Sequence, residues 1–74
     1  DFWYIRWLYR FPDNEVIILN RWEDIVYKTA NYQNDWHGTW NGKELPEGTY
    51  YFILRIFENG EQTQNYTGPI TILD

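Results

Sequence analysis

The chain has 74 residues, no cysteine, and a formal net charge of −5 from 11 acidic and 6 basic side chains. A chain of this length buries only about 60% of the surface that its unfolded form exposes, so we expect one small domain over residues 1–74. The lack of cysteine excludes a disulfide scaffold and a thiolate zinc site, and the acidic balance argues against a nucleic-acid partner. Five Trp, seven Tyr and four Phe must then supply much of the core.

The longest uncharged apolar run covers only residues 16–19, far short of the roughly 20 residues that a membrane-spanning helix needs. The N-terminus also lacks a charged region followed by an apolar run, which is the pattern of a signal peptide. We therefore expect no membrane span and no signal peptide within the chain. The missing initiator Met leads us to expect a piece of a longer protein.

Alternating apolar positions predict a first strand over residues 2–11. Its odd positions are all apolar or aromatic and its even positions include two arginines. The turn residues Pro12, Asp13 and Asn14 follow, so we expect this strand to form a hairpin with a second strand at 15–20.

The middle of the chain reads as short strands joined by turns. Residues 25–28 predict a third strand and the polar stretch 29–35 predicts a surface loop. Residues 36–40 are aromatic at both ends. They precede Asn41-Gly42, whose two residues both tolerate positive φ and therefore predict a tight turn. A further turn is expected at 45–48.

The strongest strand prediction is residues 49–58, where β-branched and aromatic side chains occupy both faces. Asn59-Gly60 predicts the next turn. Residues 62–67 and 69–73 predict a last strand or strand pair, interrupted at Gly68-Pro69 by a bulge or lying at a sheet edge. Six or seven short strands at spacings near ten residues, with no helix, indicate an antiparallel β-sandwich or barrel.

The aromatic side chains divide into an expected core set and an expected surface set. The core set comprises Trp3, Trp22, Trp36, Tyr50 and Phe52, and the surface set comprises Trp7, Trp40, Tyr32 and Tyr51. Exposed rings of this kind stack on sugars in carbohydrate-binding modules, so such a module is one alternative function. Ordinary cross-strand aromatic pairs are the more economical interpretation.

Residues able to support catalysis are scarce. His37 is the single histidine, and serine and cysteine are absent, which removes the usual nucleophiles. Neighbouring carboxylates at Glu23-Asp24, Glu44 with Glu47, and Glu58 with Glu61 fall in turns or at strand ends, where we expect solvated charge. The cluster Asp13-Asn14-Glu15 lacks the alternating pattern of a calcium loop. We expect no enzyme activity, no metal and no cofactor.

Five short motifs occur in order along the chain. They are Asn20-Arg21-Trp22, Val26-Tyr27, Asn34-Asp35-Trp36-His37-Gly38, Leu45-Pro46-Glu47-Gly48-Thr49-Tyr50-Tyr51 and Tyr66-Thr67-Gly68. In this order and spacing the chain resembles the gliding-motility-associated C-terminal domain, the type B sorting domain of the type IX secretion system. The resemblance covers nearly the whole chain. It implies a small immunoglobulin-like antiparallel β-sandwich that is not an enzyme.

The chain departs from that family at identifiable positions. Members usually carry glycine where this chain has Glu23, and often where it has Trp7; the usual segment before the first strand and the basic last residue are also absent. If those glycines adopt positive φ, a side chain at either position costs about 1 kcal/mol. A redesigned or de novo β-sandwich with no biological function is therefore a second alternative, since designers favour side chains over glycine.

The resemblance implies a sorting or docking role in Bacteroidota, in which the folded domain directs an exported protein through the secretion system to the cell surface. Secretion machinery proteins are the implied partners and the outer-membrane surface the implied location. We expect a monomer. The candidate recognition surface comprises Arg21, Trp22, Trp36, Trp40, Ile70 and Leu73.

Overall fold

A computed structural model of the chain describes residues 3–40 and 42–73. Within these residues the regular elements are a short 3₁₀ helix and six strands. The 3₁₀ helix is Leu8–Arg10, and the strands are β1 (Asn14–Leu19), β2 (Ile25–Ala30), β3 (Thr39–Trp40), β4 (Lys43–Glu44), β5 (Gly48–Glu58) and β6 (Glu61–Ile72). The expected all-β antiparallel class is confirmed, and the arrangement is compatible with a small β-sandwich.

The main sheet contains four antiparallel strands in the order β2-β1-β5-β6, and β3 pairs with β4 in a separate two-stranded sheet. Consecutive strands β5 and β6 form a hairpin through Asn59-Gly60, whose φ angles of 54° and 82° match the predicted turn. The predicted turn at Asn41-Gly42 falls between β3 and β4, but Asn41 lies outside the described residues.

Register decides which side chains share a face of the main sheet. Val16 is opposite Leu54 and Ile18 is opposite Phe52, so these residues point to one side, which we call the core face. Val16 and Ile18 are fully buried there. The opposite side, which we call the outer face, carries Ile17 beside Ile53 and a cluster of charges.

The core face is covered mainly by irregular chain and the β3–β4 pair. Trp3, Ile5, Leu8 and Phe11 from the N-terminal segment pack against the core, with Tyr32, Trp36 and Leu45 from the 31–47 region. On the outer face the Glu15 carboxylate accepts a hydrogen bond from Arg55 Nη1 at 2.9 Å and lies 3.8 Å from Lys28 Nζ. The sandwich therefore has one regular layer and one largely irregular layer.

The predicted first strand at residues 2–11 is wrong over its described part. Residues 3–7 form no strand and Leu8–Arg10 is helical, so the predicted hairpin with residues 15–20 does not form. Phe2 lies outside the described residues. The segment buries Leu8, an even position, while Tyr9 is 81% exposed. Apolar contacts with the core at residues 3, 5, 8 and 11 do not keep the two-residue period of a strand.

One further expectation needs correction. Strand β6 runs without a break through Gly68-Pro69, and the register irregularity of the β5–β6 pair lies at Ile56/Phe57 instead. The alternative expectation for Gly68-Pro69 is met, because β6 is an edge strand of the main sheet. A proline fits there because an edge residue need not donate to a neighbouring strand.

Candidate functional site

The first motif, Asn20-Arg21-Trp22, forms the turn that joins β1 to β2, which we call the NRW turn (residues 20–24). Asn20 Oδ1 accepts hydrogen bonds from the main-chain N–H groups of Trp22 (2.9 Å) and Asp24 (3.0 Å). The main chain of Asn20 also bonds to Asp24 O and Glu23 N, both at 3.0 Å. Asparagine is suited to this role because its short amide folds back on the following backbone.

This turn holds Arg21 and Trp22 out of the core. Trp22 is 67% exposed, so its placement in the expected core set is wrong. The Arg21 guanidinium carbon lies 4.2 Å from the centroid of the Trp22 ring, which is a cation–π contact. A rigid turn with a stacked Arg–Trp pair is an exposed feature of defined shape.

The NRW turn lies between two surface clefts. One, of about 300 Å³, is lined by Trp22, Val26, Leu45, Pro46 and Tyr50. The other, of about 500 Å³, lies on the outer face and is lined by Leu19, Tyr51, Ile53 and Pro69. Asn20 and Arg21 contribute to both. This outer-face cleft was not among the sequence predictions, although the apolar side chains on both faces of residues 49–58 were a signal for it.

The Trp36–Trp40 motif divides between core and surface. Trp36 is only 4% exposed, and its Nε1–H donates to Thr39 O at 2.9 Å. Its ring stacks on Tyr27 with centroids 5.4 Å apart, and the Trp40 ring meets the Tyr27 ring edge-on with centroids 6.2 Å apart. Trp40 is 39% exposed. Of these two candidate recognition residues, only Trp40 exposes a substantial part of its ring, whereas Trp36 is buried.

The last two candidate residues lie near the C-terminal end of β6. Ile70 is half-buried and Leu73 is 76% exposed. Together with Trp3, Trp36 and His37 they line a cleft of about 390 Å³. Because Ile70 is opposite Tyr50 and Leu19 is opposite Tyr51, this cleft and the NRW turn lie at the same end of the main sheet.

A buried polar network that was not among the sequence predictions lies at the opposite end of the main sheet, where β1 begins. Asn14 is 3% exposed; its Nδ2–H donates to Phe11 O at 2.8 Å, and its Oδ1 accepts from Tyr32 N at 2.9 Å. Tyr32 is 4% exposed rather than on the surface as expected. Burial is the main cause that raises the pKa of its phenol to about 12.

The expected surface rings do not form a single platform. Trp7 packs on Tyr66 of β6 with centroids 5.3 Å apart, and Trp40 lies beside Tyr27 of β2, at the opposite edge of the sheet. Tyr51, 46% exposed, is on the outer face. Sugar-binding platforms align several rings along one surface, and this distribution does not.

The structure also places the side chains that were considered for metal binding. Among residues 3–40 and 42–73 no group of three or more His, Cys, Asp or Glu side chains is placed to hold a metal ion. In the Asp13-Asn14-Glu15 cluster, Asn14 bonds to protein groups and Glu15 pairs with Arg55. No helix in this part of the chain is both long and apolar enough to cross a membrane.

The fold and the NRW turn define a class: small antiparallel β-domains that display a hydrogen-bonded aromatic turn at one end of the sheet. Within that class, the chain matches the family model of the CHU_C type IX secretion signal domain over residues 1–72, and it belongs to that family. The resemblance to a type IX sorting domain is thereby confirmed. Comparison with curated proteins finds no match, and neither does comparison with solved structures.

Family membership assigns a sorting role in type IX secretion, with export to the surface or the medium. It also implies an interaction with the secretion machinery. The family is a signal family rather than a catalytic one. Neither alternative, a redesigned fold without function or a carbohydrate-binding module, is favoured by the match.

Proposed function

We propose that residues 1–74 act as one non-enzymatic module that docks on the type IX secretion machinery and delivers the exported protein attached to it to the outer-membrane surface. The observation that supports this most directly is the family match over residues 1–72. In this proposal the domain makes and breaks no covalent bond. It works as a monomer, and recognition depends on its folded surface.

The proposed docking surface is centred on Arg21 and Trp22. Arginine and tryptophan are the residue types that most often dominate binding energy at protein interfaces. Because Asn20 already fixes the turn through two hydrogen bonds, binding would order few additional groups. The remaining contacts are assigned to Trp40, Ile70 and Leu73, with Trp36 holding the β3 region in place from the core.

A reporter fusion tests the proposal. An exportable reporter carrying this chain at its C-terminus is expressed in a cell with a working type IX system and in the same strain lacking the system. We expect extracellular reporter only in the competent strain. A reporter carrying a sorting domain already active in that host serves as positive control, and periplasmic retention of our fusion beside a secreted control contradicts the proposal.

The docking surface has its own test within that assay. Replacing Trp22 with Ala removes the tryptophan of the NRW turn, and Tyr9→Ala is the matched control because Tyr9 is an 81% exposed aromatic outside the proposed surface. We expect Trp22→Ala to lower extracellular reporter at least tenfold with little change in thermal stability. Equal secretion of the two variants would place the docking surface elsewhere.

A further inference from the structure

Strand β6 is the longest strand in the described chain, with twelve residues, and it lies at the edge of the main sheet. Its inner edge bonds to β5 over the whole length from Glu61 to Ile72. Its outer edge has no backbone hydrogen bond to any other described residue. An edge of this kind can accept another strand.

The register identifies which β6 groups point outward. Phe57 N donates to Asp13 O on the β1 side of β5. Because the direction of the backbone groups alternates along a strand, the N–H and C=O groups of odd-numbered β5 residues point to β1, and those of even-numbered residues point to β6. Leu54, an even residue, is opposite Tyr66, and Ile53 is opposite Thr67. Tyr66 therefore bonds inward, while the backbone groups of Asn65 and Thr67 point away from the sheet. Pro69 follows in the same outward set, where its missing N–H leaves the β5 ladder intact.

The devices that protect an edge strand are absent from residues 64–68 of β6. Natural sheets blunt their edges with lysine, proline, bulges or very short strands. Residues 62–72 contain no charged side chain, and Pro69 blocks only one outward donor. The register irregularity lies before residue 64. Residues 64–68 thus form an unblocked stretch, of which Asn65 and Thr67 are exposed to solvent.

We infer that the outer edge of β6 accepts an extended segment of a secretion-machinery protein as an added strand, a mode in which main-chain hydrogen bonds supply affinity. This rests on the proposed function. A partner with a neutral or basic segment fits better than a second copy of this chain, because two copies would bring together net charges of −5 each. The added strand lies next to the outer-face cleft, whose lining includes Thr67 and Pro69.

The test removes one main-chain N–H that points away from the sheet and leaves the hydrogen bonds between β6 and β5 intact. Thr67→Pro eliminates the donor, and Thr67→Val is the matched control, since it keeps the N–H and the β-branched shape. In the reporter assay we expect the valine variant to be secreted like the parent chain and the proline variant to be secreted at least tenfold less. Thermal unfolding of the purified domains checks that both variants fold.

The possible results separate the two proposals. If the parent fusion is not secreted, the proposed function fails. If the parent and folded Thr67→Pro are secreted equally, only the strand-addition inference is overturned. Purified parent chain that dimerises in sedimentation, with dimerisation lost in Thr67→Pro, also overturns it, because a second copy would then be the occupant.

If Thr67→Pro does not fold, a photo-crosslinking side chain at Asn65 replaces it. Crosslinks from position 65 to an identified secretion-machinery protein in secreting cells support the inference, with a probe at Lys28, on the opposite edge strand, as control. Crosslinks from position 22 but none from position 65 overturn it.

Discussion

The phenol of Tyr32 donates a hydrogen bond to the main-chain carbonyl of Trp3 at 2.6 Å and accepts one from the main-chain N–H of Trp36 at 3.0 Å. One hydroxyl thereby joins the N-terminal segment to the chain that precedes β3. Trp3 N also donates to Trp36 O at 2.7 Å, and the Trp3 and Tyr32 rings lie 5.3 Å apart. The irregular layer over the core is thus held by specific polar contacts as well as by packing.

Replacing Tyr32 with Phe should destabilise the domain by about 1–3 kcal/mol, because the buried N–H of Trp36 loses its acceptor. Urea unfolding of the purified domain measures the difference. Tyr9→Phe is the control, since it removes a hydroxyl from an 81% exposed ring and should leave stability unchanged. Equal stability of Tyr32→Phe and the parent chain would show that water replaces the lost contacts.

Stability should fall at alkaline pH as the folded state holds the Tyr32 proton more tightly than the unfolded state does. Burial raises the pKa of Tyr32 from the usual 10.0 to about 12. Its contribution is therefore complete below pH 10 and is lost as the pH rises through 12. Burial also raises the pKa of Tyr27. Unfolding free energies measured from pH 8 to 12 should decline less steeply in Tyr32→Phe; an identical slope would contradict the assignment.

Glu23 occupies a position that favours glycine. Its φ of 66° is in the left-handed region, which costs a residue with a side chain roughly 1 kcal/mol. Glu23→Gly should raise the free energy of unfolding by up to about 1 kcal/mol. Glu23→Ala is the matched control, because it removes the charge and keeps the strained Cβ, so it should bring no such gain. A gain in the alanine variant equal to that in the glycine variant would assign the effect to charge.

Gly68 leaves room for the ring of Phe52 on the neighbouring strand. A Cβ at residue 68 would lie 2.8 Å from Phe52 Cε1, and that ring already packs on Trp3 with centroids 5.2 Å apart. We expect Gly68→Ala to destabilise the domain by about 1–3 kcal/mol through overpacking. In a Phe52→Leu background the same change should cost less, and the double-mutant cycle measures the coupling. Strict additivity would refute a clash with this ring.

Trp7 is the other position at which family members often carry glycine, and its backbone differs from that of Glu23. Trp7 has φ −100°, which any residue adopts without left-handed strain. Its ring meets Phe11 and Tyr66 at centroid distances of 5.7 and 5.3 Å. The expected penalty for a side chain in place of glycine therefore applies at residue 23 and is absent at residue 7.

Sequence patterning alone was sufficient for β1, β2 and β5, and the motif resemblance was sufficient for the family. For Gly68-Pro69 the sequence left a bulge and a sheet edge as alternatives, and the structure shows the edge. The motif Asn20-Arg21-Trp22 was singled out by the family resemblance, and the structure places it in the hydrogen-bonded turn between β1 and β2. Trp22 was predicted to be buried and is exposed, and Tyr32 was predicted to be exposed and is buried. An aromatic ring is equally apolar whether it is buried or exposed. Its burial therefore depends on residues that are distant in the sequence.

Alternation and turn propensity are properties of neighbouring residues, so the sequence by itself determined that this is a small antiparallel β-protein. The type IX sorting family was indicated by the resemblance of the five motifs. Tertiary structure decided that residues 3–11 become an irregular cover. Alternation shows only that side chains are apolar, and the predicted hairpin with β1 also needed a free edge on β1. In this chain β1 is already paired on both sides, and Trp3 and Leu8 lie over its core face instead.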